Sequence, residues 1–205
     1  MKSIQKILIL LLLTASLTGA QTQKFTMVFL NTDPNRPELP QKVIDSLQTA
    51  HLANIQKLSN EGKLLIAGRF DGGGGIFVLA TDSKDTAQAW LSTDPVIRAK
   101  RWIVETYPYL PHVGSICRVV VQYEMATYSF IRFERNEGNN ENQFMRLVDR
   151  GSVIAAGMLQ RSGSILVVRG DVDEDLMKKD RIIQEGKIGV TVRKLWIAKG
   201  SFCEK

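Results

Sequence analysis

His51 is the residue of this chain whose type and surroundings best suit acid–base chemistry. It is one of two histidines, and it shares a predicted helix face with Ile44, Leu47, Ile55 and Leu58, which follow in steps of three and four residues. This spacing predicts an amphipathic helix whose apolar face meets a core, so the imidazole points inward. A free imidazole has a pKa of about 6.5 and exchanges protons near neutral pH. His51 is therefore a candidate general acid or base; the alternative is a core histidine hydrogen-bonded for structure.

Asp94 is the carboxylate that we expect to orient His51. It begins the segment that leads into a predicted fourth strand, and a sheet can bring that segment beneath the first helix. A carboxylate bonded to one ring nitrogen would set the tautomer of the imidazole and stabilise its protonated form. The alternative is that Asp94 only caps the turn before Pro95.

Arg69 is a candidate ligand-binding residue at the end of a predicted second strand. Its guanidinium could hold an anionic group, because guanidinium pairs well with carboxylates; the alternative is a solvated arginine at a strand end. The following run, Gly72 to Gly75, lacks the Lys-Ser/Thr ending of a phosphate loop and predicts a hairpin connection. His112 is predicted to lie in a surface loop. We expect no metal and no cofactor.

The elements that must position these residues follow the order β-α-β-β-α-β. Apolar periodicity, Pro34 to Pro40, the glycine stop at Gly62 and the capping residue Ser83 set their boundaries. The predicted strands and helices are strand 25–30, helix 41–61, strand 63–70, strand 76–81, helix 84–91 and strand 101–109. This is the ferredoxin-like arrangement, in which both helices cover one face of an antiparallel sheet.

The same order recurs in the second half of the chain. Residues 64–68 match residues 153–157 at a separation of 89, and residues 114–117 match residues 200–203 at a separation of 86. A repeat of this length predicts a duplicated domain. The second copy is degenerate: its first helix is short, about 139–150, and Asn140 stands where His51 would be. Residues 118–124 have no counterpart and are predicted to form a strand that connects the halves.

The first strand carries apolar side chains on both faces. Phe25, Met27 and Phe29 alternate with Thr26 and Val28, so the face away from the helices also needs a partner. Two halves packed sheet to sheet within one chain would supply it. We therefore expect the α+β class with two ferredoxin-like repeats.

The first twenty residues predict a cleavable signal peptide. Lys2 and Lys6 precede the apolar run Ile7 to Leu13, and Thr18-Gly19-Ala20 supplies the small residues of a cleavage site. The apolar run is shorter than the about 20 residues of a membrane span, although an uncleaved anchor is the alternative. We expect a secreted or periplasmic protein, with domains at 21–117 and 125–205 joined by 118–124.

Composition excludes some partners. The chain has 27 basic and 21 acidic residues, and loss of Lys2 and Lys6 with the signal leaves a net charge near +4. No run of lysine or arginine is present, so nucleic acid is a poor candidate. We expect a small-molecule ligand and no membrane contact after signal cleavage.

Cys117 and Cys203 occupy equivalent places in the repeat. An oxidising compartment permits a disulfide between them, provided that their Cα atoms come within about 7 Å. Sequence alone leaves the pairing open.

Two segments resemble the YCII-related proteins of the dimeric α+β barrel superfamily. The first joins His51–Leu58 to Glu61–Gly68, and the second joins Ala87–Leu91 to Asp94-Pro95. The resemblance covers about residues 25–112 well and residues 125–203 only as a degenerate copy.

This resemblance implies domains whose sheets pack face to face, here as an intramolecular dimeric α+β barrel, with a pocket on each domain. It also implies a histidine–aspartate dyad, which falls on His51 and Asp94. One family member is similar to a lyase that eliminates chloride from an aromatic ring, and most members have no assigned reaction. The family usually has proline where Arg69 stands, a difference that changes the local pocket.

Three functions are consistent with these residues. The first is a small lyase- or isomerase-type enzyme that uses His51 with Asp94. The second is a non-catalytic domain that binds a small aromatic or anionic ligand, and the third is a structural module without a pocket. The pseudo-dimer could also pair again as a homodimer.

Overall fold

The computed structural model describes residues 24–119, 123–135 and 150–204. Within them lie eight strands, five helices and a 3-10 turn at Arg150–Ser152. The strands are β1 (Phe25–Thr32), β2 (Leu64–Phe70), β3 (Gly75–Leu79), β4 (Trp102–Val113), β5 (Met125–Arg135), β6 (Val153–Leu159), β7 (Gly163–Val168) and β8 (Ile188–Ala198). The helices are α1 (Gln41–Asn60), α2 (Lys84–Leu91), α3 (Pro95–Arg98), α4 (Glu174–Lys178) and α5 (Arg181–Gln184).

All eight strands pair antiparallel and close into one barrel. The order around it is β1-β3-β2-β8-β5-β7-β6-β4, and β4 returns to pair with β1. The first half supplies four adjacent strands, and the pairs β2–β8 and β4–β6 join it to the second half. The α+β class is confirmed, and strand pairing at two places joins the halves of the chain into one barrel.

Alternating side chains divide the apolar residues between the barrel interior and its outer surface, as the period of two in a strand requires. Phe29, Phe70 and Phe130 meet inside the barrel, with centroids 6.0 and 5.3 Å apart and rings edge to face. On the outside, Val28 and Phe77 belong to a second cluster that α1 and α2 cover. The helix layer that carries His51 therefore lies outside the barrel, against the first half.

Helix α1 ends where the sequence predicts. The N–H of Gly62 donates to Ser59 and that of Lys63 donates to Leu58, and Gly62 has a φ of +70°. This pairing is a Schellman motif, in which glycine takes the left-handed conformation without a Cβ penalty. Of the helix residues, His51 and Leu58 are buried, so the predicted inward face is correct.

Strand β4 is longer than predicted. β4 continues past Tyr109 to Val113 because its later residues leave β1 and pair with β6, and Pro111 lies at a register shift where proline is tolerated. The prediction that His112 lies in a loop is wrong, since it is an exposed residue of β4. β5 extends from Met125 to Arg135 because all of it pairs with β8.

A disulfide links Cys117 to Cys203, with Cα atoms 5.2 Å apart. It ties the segment after β4 to the segment after β8. The N–H of Cys117 also donates to the carbonyl of Ser201, 2.9 Å away. The disulfide that the sequence left open is therefore present, and it links the two halves of the chain.

Some predictions fall on residues outside the described ranges. These are the signal peptide at 1–20, most of the helix at 139–150 with Asn140, and residues 120–122 of the connecting strand. The neighbouring residues 118, 119, 123 and 124 are assigned to no strand, so the connecting strand stays a prediction. In the ranges that the structure describes, no helix is both long and apolar enough to cross a membrane.

Candidate active site

His51 and Asp94 lie in direct contact beneath α1. The Nδ1 atom of His51 is 2.6 Å from Oδ2 of Asp94. The two residues are 6% and 1% exposed, so solvent does not compete for this bond. The partners come from the middle of α1 and from the residue before α3, which are 43 positions apart in the chain.

Asp94 is held by a second set of hydrogen bonds. Its Oδ1 atom accepts from the backbone N–H of Val96 at 2.9 Å and of Ile97 at 3.4 Å, so it caps α3, whose first residue is Pro95. The cap and the histidine partner were alternatives in the sequence, and the structure combines them in one carboxylate. Because each oxygen has its own donor, the carboxylate is fixed before any ligand arrives.

The contacts of Asp94 assign the tautomer of His51. A carboxylate that already accepts two backbone N–H groups acts as an acceptor, so Nδ1 of the ring carries the proton that it shares. Neutral His51 then has its lone pair on Nε2. Among the described residues, Nε2 has no hydrogen-bond partner, and the ring lines a cleft.

Two aromatic residues fix the plane of the imidazole. Phe77 of β3 stacks on it at a centroid distance of 6.0 Å and an interplanar angle of 20°, and Trp102 of β4 meets it edge to face at 4.8 Å. Next to the dyad, the hydroxyl of Thr93 donates to the side-chain oxygen of Asn54 at 2.9 Å and ties α1 to the start of α3. The orientation of His51 is thus set from three sides.

The cleft beside His51 is open to solvent and has a volume of about 960 Å³. It lies between α1 and the outer face of the sheet and continues over β2 to β8 in the second half, where Trp196 lines it. Its size is in the range of small-molecule sites. Asp94 does not line it and contacts the ligand space only through His51.

Arg69 also lines this cleft. It is an exposed residue of β2, and its guanidinium carbon lies 5.3 Å from the centre of the Trp196 ring. The structure therefore places all three predicted site residues at or directly behind one cleft. Trp102 and Trp196 are not among the predicted site residues, because a lone tryptophan gives no signal that separates a cleft wall from a core.

No group of three or more metal-ligating side chains occurs among the residues that the structure describes. The polar atoms of the cleft are those of an imidazole, guanidinium groups, amides and hydroxyls. This set suits proton transfer and the binding of anions.

Residues 25–112 match the family model of the YCII-related domain. This stretch is similar to that domain. It contains His51, Asp94 and Arg69 and covers β1 to β4 almost completely. The predicted resemblance over these residues is confirmed.

Outside the YCII-related domain the comparisons are weak. No curated protein matches the chain. A solved structure described as a "putative monooxygenase" from Fusobacterium nucleatum subsp. nucleatum aligns over 86% of this chain and 93% of its own, with 8% identity and a TM-score of 0.43. So low a similarity supports no argument about the reaction of this chain.

Proposed function

We propose that the protein is a small lyase- or isomerase-type enzyme in which His51 is the general acid and base. The observation that carries the proposal is the 2.6 Å bond between His51 Nδ1 and the buried, capped carboxylate of Asp94, in a ring that lines the cleft. A histidine with a purely structural role could bond both of its ring nitrogens to partners inside the core. Here one nitrogen is left for a ligand.

The proton would travel through Nε2. In its neutral form Nε2 takes a proton from a carbon or oxygen atom of the substrate, and Asp94 stabilises the imidazolium that results. In an isomerisation the same nitrogen returns the proton to another atom of the substrate. In an elimination the electron pair of the broken C–H bond forms a double bond while the leaving group departs with its own pair.

The resemblance to YCII-related proteins supports an aromatic substrate, because one member is similar to a lyase that removes chloride from a ring. Phe77 and Trp102 give the cleft an aromatic surface beside His51, which supports the same choice. The substrate itself is part of the proposal.

The test is a ligand screen followed by turnover. The protein lacking residues 1–20 is screened by thermal shift against hydroxylated and chlorinated phenols and benzoates, and each ligand is then followed by proton NMR and by chloride release. We expect turnover with at least one compound, and a loss of about a hundredfold or more in His51→Ala. Turnover that is unchanged in His51→Ala would refute the assignment.

A non-catalytic ligand-binding domain is the second candidate. The capping bonds of Asp94 favour it, because they give this residue a structural reason to be present. A compound that binds equally to wild type and His51→Ala, and that neither changes, would support this function over the enzyme.

We also propose that the chain is an intramolecular pseudo-dimer of two ferredoxin-like repeats. The strand order β4-β1-β3-β2 in the first half and β8-β5-β7-β6 in the second supports it, as do the matched segments at separations of 89 and 86. Sedimentation at several concentrations would test whether this unit pairs again.

Export to the periplasm or the medium completes the proposal. The basic and apolar start of the sequence supports it, and a disulfide between Cys117 and Cys203 is typical of an oxidising compartment. Expression of the full chain in a bacterium followed by mass analysis should give a protein that begins at Gln21. A chain that keeps residues 1–20 would refute the cleavage.

A further inference from the structure

The charge of the cleft is one-sided. Of the residues that the structure describes, four arginines line it, namely Arg36, Arg69, Arg101 and Arg118, and no aspartate or glutamate does. None of the four forms an ion pair with a residue that the structure describes. Guanidinium groups without acidic partners around a concave site favour an anionic ligand.

The register of the sheet places Arg69 in a row of residues that crosses the cleft. Leu30 pairs with Gly75, Gly75 pairs with Arg69, and Arg69 pairs with Trp196, so these four residues form one row across β1, β3, β2 and β8. All four line the cleft. A Cβ at Gly75 would collide with the carbonyl oxygen of Gly68, so the missing side chain lets the backbones of β3 and β2 approach closely beneath the cleft.

The adjacent row lies beneath His51. Phe77, on which the imidazole stacks, pairs with Ala67, two residues before Arg69 on the same face of β2. Diagonal neighbours of this kind are about 7–8 Å apart. One aromatic ring with a carboxylate on it is long enough to reach from His51 to Arg69.

Trp196 belongs to β8 in the second half of the chain. Its ring lies under the guanidinium of Arg69, at 5.3 Å, and is 43% exposed. Stacking on an indole holds a guanidinium plane while leaving its N–H groups available to a ligand. The second half therefore supplies a wall to the site of the YCII-related domain.

The rim of the cleft is apolar. Leu52 and Tyr123 are each 55% exposed and line the cleft together with Trp196. Clustered exposed apolar side chains beside a concave site are typical of ligand-binding surfaces. A fully polar anion would leave these apolar side chains exposed to solvent, whereas an anion that carries an apolar group would cover them.

We propose that the ligand is a small aromatic carboxylate whose carboxylate binds Arg69 and whose ring lies over Gly75, and that Trp196 of the second half is a specificity residue which orients Arg69. The placement of the reacting end beside His51 rests on the proposed function. The binding of the carboxylate does not, because it needs no turnover.

The test measures the binding of benzoate and 2-naphthoate, and of their uncharged amides, by calorimetry. We expect saturable binding of at least one acid, about tenfold weaker in Arg69→Gln, and binding of the amides that this substitution leaves unchanged. Arg98→Gln, an exposed arginine of α3 outside the cleft, is the matched control and should bind as wild type does. Arg69→Lys keeps the charge and should recover part of the affinity.

Trp196→Leu tests the contribution of the second half. We expect weaker binding of the acids with Arg69 intact, and recovery in Trp196→Phe, which keeps a ring beneath the guanidinium. These binding measurements need no turnover, so a failure of the catalytic proposal would not affect their result.

Three outcomes would overturn the proposal. They are no saturable binding of either acid, equal binding of acid and amide, and a loss of affinity in Arg36→Gln but not in Arg69→Gln. The last outcome would place the anion on Arg36 instead of Arg69.

Discussion

At the scale of single residues, Asp94 is the best connected side chain of the site. One oxygen caps α3 and the other binds His51, so this carboxylate joins local helix structure to the candidate chemistry. Both roles could be predicted as separate alternatives, because each needs only the residue type and its neighbours. Their combination depends on α1 packing over α3, which local sequence does not encode.

Asp94→Ala should destabilise the fold more than loss of an ordinary cap does. The substitution removes the cap of α3 and leaves a buried imidazole N–H without an acceptor, for a loss of about 3 kcal/mol in the free energy of unfolding. Ser83→Ala removes a single capping bond to Thr86 on α2 and should cost about 1 kcal/mol. Urea unfolding of both variants measures the difference, and equal losses would mean that the bond to His51 contributes nothing to stability.

At the scale of elements, the β2–β3 hairpin forms the floor of the cleft. Its turn contains Gly72, Gly73 and Gly74, all with positive φ. A Cβ at Gly72 would meet nothing, whereas a Cβ at Gly74 would collide with the carbonyl oxygen of Leu30 on β1. The glycine run therefore lets β3 approach β1 closely as well as turn.

The two glycines allow a matched comparison. Gly72→Ala should cost about 1 kcal/mol for the left-handed conformation alone. Gly74→Ala carries the same conformational cost and also displaces the backbone of β1, which should add about 1–3 kcal/mol. Thermal or urea unfolding of both variants measures the difference in stability. A Gly74→Ala variant that is no less stable than Gly72→Ala would show that the hairpin shifts without strain.

Apolar periodicity, together with the residues that begin and end helices, was enough to predict the elements of the first half. The inward face of α1, its stop at Gly62, and α2 with its Ser83 cap rest on short-range signals and agree with the structure. The length of β4 was underestimated because the segment that holds Pro111 and His112 was predicted to be a loop. Proline is tolerated there because β4 changes partner from β1 to β6, a pairing of residues far apart in the chain.

The cleft was harder to predict than the dyad. Arg69 was identified from its place at a strand end, but its stacking on Trp196 depends on the β2–β8 pairing that closes the barrel. Such contacts form only when both halves are present, so no local sequence pattern predicts them. The edge-to-face contact between Trp102 and His51 joins β4 to α1 within the first half, and it also depends on tertiary packing.

At the scale of the whole molecule, strand pairing, a disulfide and a polar network hold the halves together. Inside the barrel, Glu105 of β4 accepts from Arg132 of β5 at 2.7 Å, from the hydroxyl of Tyr107 at 2.6 Å and from Asn31 at 2.5 Å. Partial burial alone would raise the pKa of Glu105. The hydrogen bonds and positive charge of Arg132, with the Tyr107 hydroxyl, outweigh it and hold that pKa below its usual value.

This network predicts a loss of stability in acid. A carboxyl with a lowered pKa in the folded state contributes stability above its unfolded pKa of about 4.3, and the contribution disappears as pH falls through the folded value. Glu105→Gln should therefore be less stable than wild type at pH 7, and the gap should narrow at about pH 3.

The control for this prediction is Glu61→Gln. A hydrogen bond from Lys63 also lowers the pKa of Glu61, but this pair lies at the solvent-exposed end of α1 and should change stability little at either pH. Urea unfolding at the two pH values provides the measurement. A gap between Glu105→Gln and wild type that stays constant with pH would argue against an ionised Glu105 in the network.

Reduction of the disulfide should destabilise the chain while leaving it folded. Cys117 and Cys203 are 86 residues apart, and closing a loop of that length restricts the unfolded chain by about 4 kcal/mol in the entropy model. Wild type should lose stability on addition of reductant, and a Cys117→Ser/Cys203→Ser variant should not respond. Identical wild-type unfolding curves with and without reductant would show that the bond does not constrain the unfolded chain.

The central claim is that the Nδ1 of His51 carries its proton toward Asp94 and that Nε2 faces the cleft unprotonated. Long-range ¹H–¹⁵N NMR of protein labelled in histidine, at about pH 8.5, reports the tautomer directly, and exposed His112 serves as an internal reference, assigned with a His112→Gln variant. We predict the Nδ1–H tautomer for His51 and its loss in Asp94→Ala. A proton on Nε2 of His51 in the wild-type protein would contradict the account.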